Sequence, residues 1–471
     1  MITIRSLTRA SSSGLIVSPL KAQVVRSTSV LASSGPSHVN SRGCVFADGA
    51  FVSRSRISNN SPKGLHISHI SKGIGAARSS STKSMAELVS HYSSKPQTPV
   101  SLQTLMETGR GERIGKGGTT DATKAASELD STATELVLMQ VASFLKHELP
   151  IRLAHRIKDL DDVPMMSEMK SVLQVRDWYE KSMTELIEFP AITSKEEEEK
   201  FAKLLEGIYE RHAGVLVTMA RGAFELRAAI REGKYGRGGK ADFEEMEGMH
   251  KFLDGFYMSR IGIRMLIGQY LSLRQPPMDG YVGMICQKTS PGKVVQQAVD
   301  DASFMCNRKY GDAPEVIVHG ASDLTFSYVP THIHYIMLEL LKNSMRATVE
   351  HHGVDEDYPP IKVIIADGEK NEDVVIKISD EGGGIKRSHV SRIWSYLFTT
   401  ADPAVQEGMV AFENVDHSID SPLAGLGYGL PISRAYAKFW GGDLSVMSME
   451  GYGTDVFLHL SRLGASKEPL P

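Results

Sequence analysis

The hydrophobic period of the chain changes at Pro276-Pro277. Upstream, from Leu136 to about Arg274, apolar residues return every three or four positions, the spacing of a helix with one buried face. Four stretches carry this pattern. One holds Leu136, Met139, Ala142, Leu145 and Leu149, and another Val172, Val175, Tyr179, Met183 and Leu186. A third runs over 196–230 through Phe201, Leu205, Ile208, Val215 and Met219, and a fourth from Phe243 through Phe256 and Ile267. Pro164, Pro190 and the glycines of 233–239 separate them. The spacing predicts a four-helix bundle over 136–275. Downstream, short alternating runs at 315–319, 361–366, 374–379, 444–449 and 454–460 predict strands, mixed with helices at 293–308 and 332–350. The fold class expected is α+β, with the bundle followed by an α/β sandwich over 276–471.

The net charge of −3 hides an uneven distribution. Residues 1–84 hold eleven Lys/Arg, one acid (Asp48) and 21 serines, which leaves 42 basic and 55 acidic residues for the rest. Basic, Ser-rich and nearly acid-free sequence is the composition of an organellar transit peptide, and it has no compact apolar core of the secretory kind. Composition alone leaves mitochondrion and plastid open. Residues 85–135 read as an N-terminal arm. The acidic remainder gives no support for nucleic-acid binding. No apolar run reaches the roughly 18 residues a membrane span needs. Cys44, Cys286 and Cys306 have no metal-ligand spacing.

Four motifs carry chemistry, and all lie downstream of the prolines. Glu339 and Asn343 are i and i+4 on a predicted helix, so a carboxylate and an amide leave the same face one turn apart. The carboxylate suits a general base, and the amide oxygen suits a magnesium ion already carrying phosphates. Asp380 ends a predicted strand and is followed by Gly382, Gly383 and Gly384, where bare backbone allows close approach to a base edge. Gly425, Gly427 and Gly429 precede a helix predicted over 432–439, whose N-terminus offers backbone N–H groups to phosphate. The spacing is neither a Rossmann fingerprint nor a Walker A loop. Last, Gly453-Thr454-Asp455 joins two predicted strands. Each motif alone is as compatible with an ordinary turn or solvated helix face as with a site.

In this order and spacing the four motifs resemble the nucleotide-binding boxes of the GHKL ATPases, the superfamily of histidine kinases, Hsp90-like chaperones, MutL-like proteins and mitochondrial dehydrogenase kinases. The stretches LLKNSMRATVE from Leu340, FLDGFYMSRIGIRML from Phe252, GLGYGLPISRAYA from Gly425 and SMEGYGTD from Ser448 resemble the pyruvate dehydrogenase kinase family over roughly 87–471, and the tail from Ser461 resembles its plant-type branch. That resemblance implies ATP and Mg²⁺ as cofactors, with Glu339 as base and Asn343 as metal ligand. It further implies Arg346, Asp380, Gly382, Gly384, Thr399, Thr400, Gly425, Leu426, Gly427, Tyr428, Gly429, Leu430 and Thr454 around the nucleotide, and a mobile lid over 401–424. The implied substrate is a serine of the pyruvate dehydrogenase E1α subunit in the mitochondrial matrix, with a plastid as the alternative address. A homodimer and contact with the E2 lipoyl domain are also implied. Branched-chain 2-oxoacid dehydrogenase kinase, a histidine kinase and a non-catalytic ATP-binding scaffold are the alternative functions.

The same resemblance assigns Tyr179, Ser182, His212, Ser259, Arg260 and Arg264 to a regulatory pocket for pyruvate-like carboxylates. An arginine pair at i and i+4 suits such an anion. Three departures accompany the match. Tyr335, with His334 beside it, stands where animal members often carry a histidine one turn before the base. Tyr209 replaces a pocket arginine. The sequence ends at Pro471 without an Asp-Trp pair, so lipoyl contact is expected around 99–107. His147-Glu148-Leu149-Pro150 has only a superficial likeness to a phosphoacceptor box, because the proline follows too early. It reads as helix surface before a kink.

Overall fold

The computed structural model describes residues 84–112, 131–235, 243–320, 323–354, 356–368, 372–400 and 425–470. The expected transit peptide, apart from Ser84, and the expected lid over 401–424 lie outside the described residues.

The bundle is built by α3 (Ser131–Asp162), α4 (Lys170–Glu188), α5 (Lys195–Arg211), α6 (Val215–Arg231) and α7 (Glu247–Leu273), preceded by α1 (Met85–Ser93) and α2 (Leu102–Gly109). Sequence reads α5 and α6 as one helix, yet they are two. At the joint the amides of Ala213 and Val215 bond to carbonyls three residues back, a tighter winding than the α-helix. The cause lies in the side chains. His212 turns inward to Ser182 on α4, and α5 packs on α3 and α7 while α6 packs on α4. Caps fix the starts: Ser194 and Glu197 form a reciprocal box on α5, as do Ser84 and Glu87 on α1. Through Pro150 α3 continues unbroken. His147 is exposed as expected, but Glu148 is buried against Arg152 rather than lying on the surface.

After the bundle, β1 (Tyr281–Val282), β2 (Ile285–Thr289) and β4 (Phe326–Tyr328) make a small antiparallel sheet. The main sheet has the order β3-β5-β6-β8-β7, from β3 (Val316–Gly320), β5 (Ile361–Asp367), β6 (Asp373–Asp380), β7 (Asp443–Met449) and β8 (Gly453–Ser461). Parallel pairing of β3 with β5 needs a crossover, supplied by α9 (Pro330–His352). Every other pair in this sheet is antiparallel. Alternation decides the faces. Ile361, Val363 and Ile365 on β5, with Val374, Ile376 and Ile378 on β6, point into a core shared with α8 (Pro291–Tyr310), α9 and α10 (Gly429–Phe439). Lys362 and Ile364 face outward.

The bundle and the sheet region interlock. Tyr396, Leu397, Leu426 and Tyr428 belong to the bundle core, while Ile261 and Met265 of α7 belong to the core under the sheet. The end of the chain also returns to the bundle. Glu468 accepts from Arg152 Nη1 at 3.0 Å and Nη2 at 2.5 Å, and its backbone N–H bonds to the Val100 carbonyl at 2.8 Å. Val100, Ser101 and Leu102 are consequently buried by their own chain.

Candidate nucleotide and phosphoryl-transfer site

The helix α9 organises the site. Apolar Ile336, Leu340 and Leu341 bury one side of it, which orients Glu339, Asn343 and Arg346 towards the loops that close over its other side. Glu339 is 4% exposed, and its Oε1 accepts from Lys342 Nζ at 2.7 Å. The second oxygen lies against the first residue of α10, since a Cβ on Gly429 would stand 2.6 Å from Glu339 Oε2. The base candidate and the phosphate-cradle candidate therefore touch. Asn343 is half-buried. Arg346 Nη2 donates to Thr400 Oγ1 at 3.4 Å, while its buried Nε has no partner among the described residues.

Asp380 closes the other end. It is the last residue of β6, paired in register with Thr454 on β8. Its Oδ2 accepts from Ser344 Oγ at 2.8 Å and its Oδ1 from the Gly382 N–H at 3.1 Å. Burial pushes the Asp380 carboxyl above the usual range, and the bonds from Gly382, Ser344 and Thr454 only partly offset that. Ser344 is a residue the motif reading passed over, although it directly follows Asn343. Gly382 packs so tightly on α9 that a Cβ would come within 2.7 Å of Ala347. Thr454 Oγ1 lies 3.0 Å from Ser448 Oγ.

The glycine-rich turn begins α10 at Gly429, one turn earlier than the sequence suggests, because Pro431 is tolerated within the first turn. Gly425 and Gly427 have φ of +76° and +81°. A Cβ at Gly427 would stand 2.4 Å from the Phe398 carbonyl oxygen, so only glycine lets this turn lie on the 396–400 segment that carries Thr399 and Thr400. Leu430 is half-buried, but the side chains of Leu426 and Tyr428 are buried in the bundle. What those two residues leave for a phosphate is backbone. Tyr428 meets Tyr257 of α7 edge-on at 6.0 Å and Tyr396 at 5.2 Å. Arg227 of α6 donates to the carbonyl of Leu397, a residue held at φ +67°. The motif reading missed this seam of Arg227, Asp254, Tyr257 and Tyr396 because its members come from separate parts of the chain.

The expected pocket residues in the bundle are also brought together. Ser182 Oγ lies 2.9 Å from His212 Nε2 and accepts from Arg211 Nη1 at 2.7 Å. Tyr179 packs on the His212 ring at 4.8 Å. Arg260 and Arg264 reach the carbonyls of Ala213 and Tyr209, both at 3.4 Å, and Arg264 lies 4.0 Å over the Tyr209 ring. Arg260 Nε is buried without a partner among the described residues. Burial, then Arg211, brings His212 down to about 3, and burial lifts Tyr179 to about 12, so both are neutral near pH 7. Ser259 is buried beside Arg260. On the helix bearing the base candidate, His334 is turned to Asp301 of α8 at 2.9 Å, leaving Tyr335 one turn before Glu339, its ring tilted against Tyr436 at 4.9 Å.

Comparison with known proteins places both regions in described families. Residues 328–463 match the family described as histidine kinase-, DNA gyrase B- and HSP90-like ATPase. Residues 99–286 match the one described as mitochondrial branched-chain alpha-ketoacid dehydrogenase kinase. Over 396 residues, 83% of this chain and 97% of the relative, the sequence is 45% identical to the mitochondrial [pyruvate dehydrogenase (acetyl-transferring)] kinase of Arabidopsis thaliana. The chain belongs to the pyruvate dehydrogenase kinase family. The fission yeast relative of the same name is 35% identical over 456 residues, covering 82% of this chain and 99% of the relative. Human pyruvate dehydrogenase kinase isozyme 4 is 35% identical over 396 residues, covering 81% and 86%. As a member of the pyruvate dehydrogenase kinase family the protein is an ATP-binding protein kinase with a helical N-terminal region and a C-terminal GHKL ATPase region. Among the described residues no helix is long and apolar enough to cross a membrane.

Proposed function

We propose that this protein transfers the γ-phosphate of ATP to a serine of the pyruvate dehydrogenase E1α subunit in the mitochondrial matrix, silencing that enzyme. The contact between Glu339 and the first residue of α10 carries the reading, because it puts a carboxylate base beside the turn suited to phosphate. Glu339 takes the proton from the serine hydroxyl. The serine Oγ–phosphorus bond forms as the bond from phosphorus to the β–γ bridging oxygen breaks, and that electron pair leaves with ADP. Asp380 accepts from the adenine amino group, with Gly382, Gly384, Thr399 and Thr454 around the base. The backbone from Gly425 to Leu430 and the guanidinium of Arg346 hold phosphate. The residues fit a magnesium ion: the Asn343 amide oxygen is a hard neutral ligand one turn from the base, and Arg346 Nε is a buried donor suited to an anion. When bound, the ion supplies charge neutralisation of the phosphates.

The test mixes the full chain with purified pyruvate E1 and branched-chain E1, each with its E2, and Mg-ATP. Acid-stable serine phosphate on pyruvate E1α, lost in Glu339→Gln, is the expected result. Label on the branched-chain protein alone would overturn the substrate, acid-labile label on His147 would favour a histidine kinase, and no label at all would favour the scaffold.

The bundle pocket is the regulatory site in this reading. Arg260 and Arg264, with neutral His212 and Ser182, hold a pyruvate-like carboxylate. Arg260→Ala then abolishes inhibition by pyruvate while leaving uninhibited turnover intact. The working form is a homodimer. The edge strand β7 and its turn expose Met447, Met449 and Tyr452, apolar surface that a second copy would cover. The complex engages the E2 lipoyl domain, which sedimentation with and without that domain measures.

A further inference from the structure

The ion pair between Lys342 and Glu339 raises a chemical difficulty for a base. Lys342 Nζ sits 2.7 Å from Glu339 Oε1, and the side chains are 14% and 5% exposed. The other oxygen is pressed against Gly429. A carboxylate held this way has one oxygen engaged by a full positive charge and the other covered by backbone. A serine hydroxyl approaching it competes with both. If Glu339 is the base, as the function proposed above requires, something must release it at the moment of transfer.

The neighbourhood supplies the means. Lys342 stands beside Asn343 on α9 and is joined through Glu339 to the start of α10, so ammonium, carboxylate and phosphate cradle are consecutive contacts. A terminal phosphate carries more negative charge than a carboxylate and more acceptor oxygens. A lysine on a flexible four-carbon stem is well suited to move from one to the other. ADP ends at the β-phosphate and lacks the γ-phosphate that would draw it.

We infer that Lys342 is a positioning residue that masks the Glu339 carboxylate until the γ-phosphate of ATP takes its ammonium and frees the base. Lys342 gives up no proton in this step. It changes partner, and the serine proton then passes to the vacated oxygen. The arrangement ties base release to the presence of ATP, so that neither the empty nor the ADP-bound enzyme exposes a free base.

Two experiments on the full chain test this exchange of partners. The first is a pair of crystal structures, with Mg²⁺ and the non-hydrolysable analogue AMP-PNP, and with ADP. Expected with AMP-PNP is Lys342 Nζ at about 3 Å from a terminal phosphate oxygen and away from Glu339; with ADP it remains on Glu339. Lys342 still paired to Glu339 under AMP-PNP overturns the inference. The second compares Lys342→Met with Lys342→Arg. Once it has moved, the same ammonium also neutralises the γ-phosphate, so the methionine variant should lose about 100-fold in kcat while its ADP Kd stays within about twofold, and arginine should recover most of the rate. Wild-type kcat in Lys342→Met, or an equal loss of ADP affinity, overturns it. Should Lys342→Met fail to fold by its melting curve, the two crystal structures remain decisive. Glu339→Gln separates the two ideas: if that variant keeps its activity, the assignment of the base falls, whatever Lys342 does in the crystals.

Discussion

The Tyr396 hydroxyl donates to the Asp254 carboxylate across 2.7 Å, joining the segment ahead of the expected lid to the N-terminal third of α7. The Tyr396 ring is fully buried, 5.5 Å from Tyr257 and 5.2 Å from Tyr428. The glycine-rich turn proposed to hold phosphate is thereby packed directly on a bundle helix that also carries Arg260 and Arg264. A displacement of α7 at one end of this contact must be accommodated at the other, because close-packed aromatic rings leave little slack.

Removing that hydroxyl tests the seam at its simplest. Tyr396→Phe deletes one hydrogen bond to an exposed carboxylate and should cost about 1 kcal/mol. Tyr396→Ala removes the ring and should cost about 3–5 kcal/mol. Urea unfolding of both variants checks the ratio. Equal, negligible losses would show that the contact is incidental.

Nucleotide affinity should depend on acid pH through Asp380. Burial raises this carboxyl, so the native state takes up its proton at a higher pH than the unfolded chain does. Without nucleotide, its contribution to stability is present at low pH and is lost as pH rises through the raised range. Binding runs the opposite way, since a protonated Asp380 is a poor acceptor for the adenine amino group. Titration of ADP from pH 7 downward should show affinity falling in the wild type before an ordinary aspartate would protonate. Asp380→Asn should be weaker throughout and keep only the pH dependence of the ADP phosphate itself, which titrates at about pH 6.

Space alone accounts for Gly429. It begins a regular helix at negative φ, yet a Cβ there would fall 2.6 Å from Glu339 Oε2. Gly429→Ala should displace the carboxylate and lower kcat about 100-fold, with ADP affinity changed only a few-fold. Steady-state kinetics beside calorimetric binding separates the two effects.

Arg152 holds two carboxylates, Glu148 at 3.0 Å and Glu468 at 2.5 Å, all nearly inaccessible to solvent. Arg152→Met would leave both charges buried without their partner and should cost about 3–5 kcal/mol. Adding Glu468→Gln should return part of that loss. Denaturation midpoints of the single and double variants measure it, and strict additivity would contradict the shared cluster.

Much of the site was legible because its pieces are local. Glu339 and Asn343 are four residues apart on one helix, and the alternation in 374–379 is enough to place Asp380 at a strand end. The β1-β2-β4 sheet escaped the same reading, since β1 and β4 have only two and three residues and β2 carries Cys286, Gln287 and Lys288 in a row without apolar alternation. The break between α5 and α6 escaped it too, because the apolar spacing runs on through a turn that His212 bends inward.

Sequence by itself determined the order of helical and mixed regions, the nucleotide motifs and the family, for hydrophobic period and motif spacing are properties of neighbouring residues. Only the tertiary structure decided that Lys342 pairs with Glu339 rather than with solvent, that Ser344 props Asp380, and that Tyr396 meets Asp254 142 positions away. Those contacts depend on which faces are buried together, and helix periodicity cannot say which of several exposed polar groups a neighbouring element will cover.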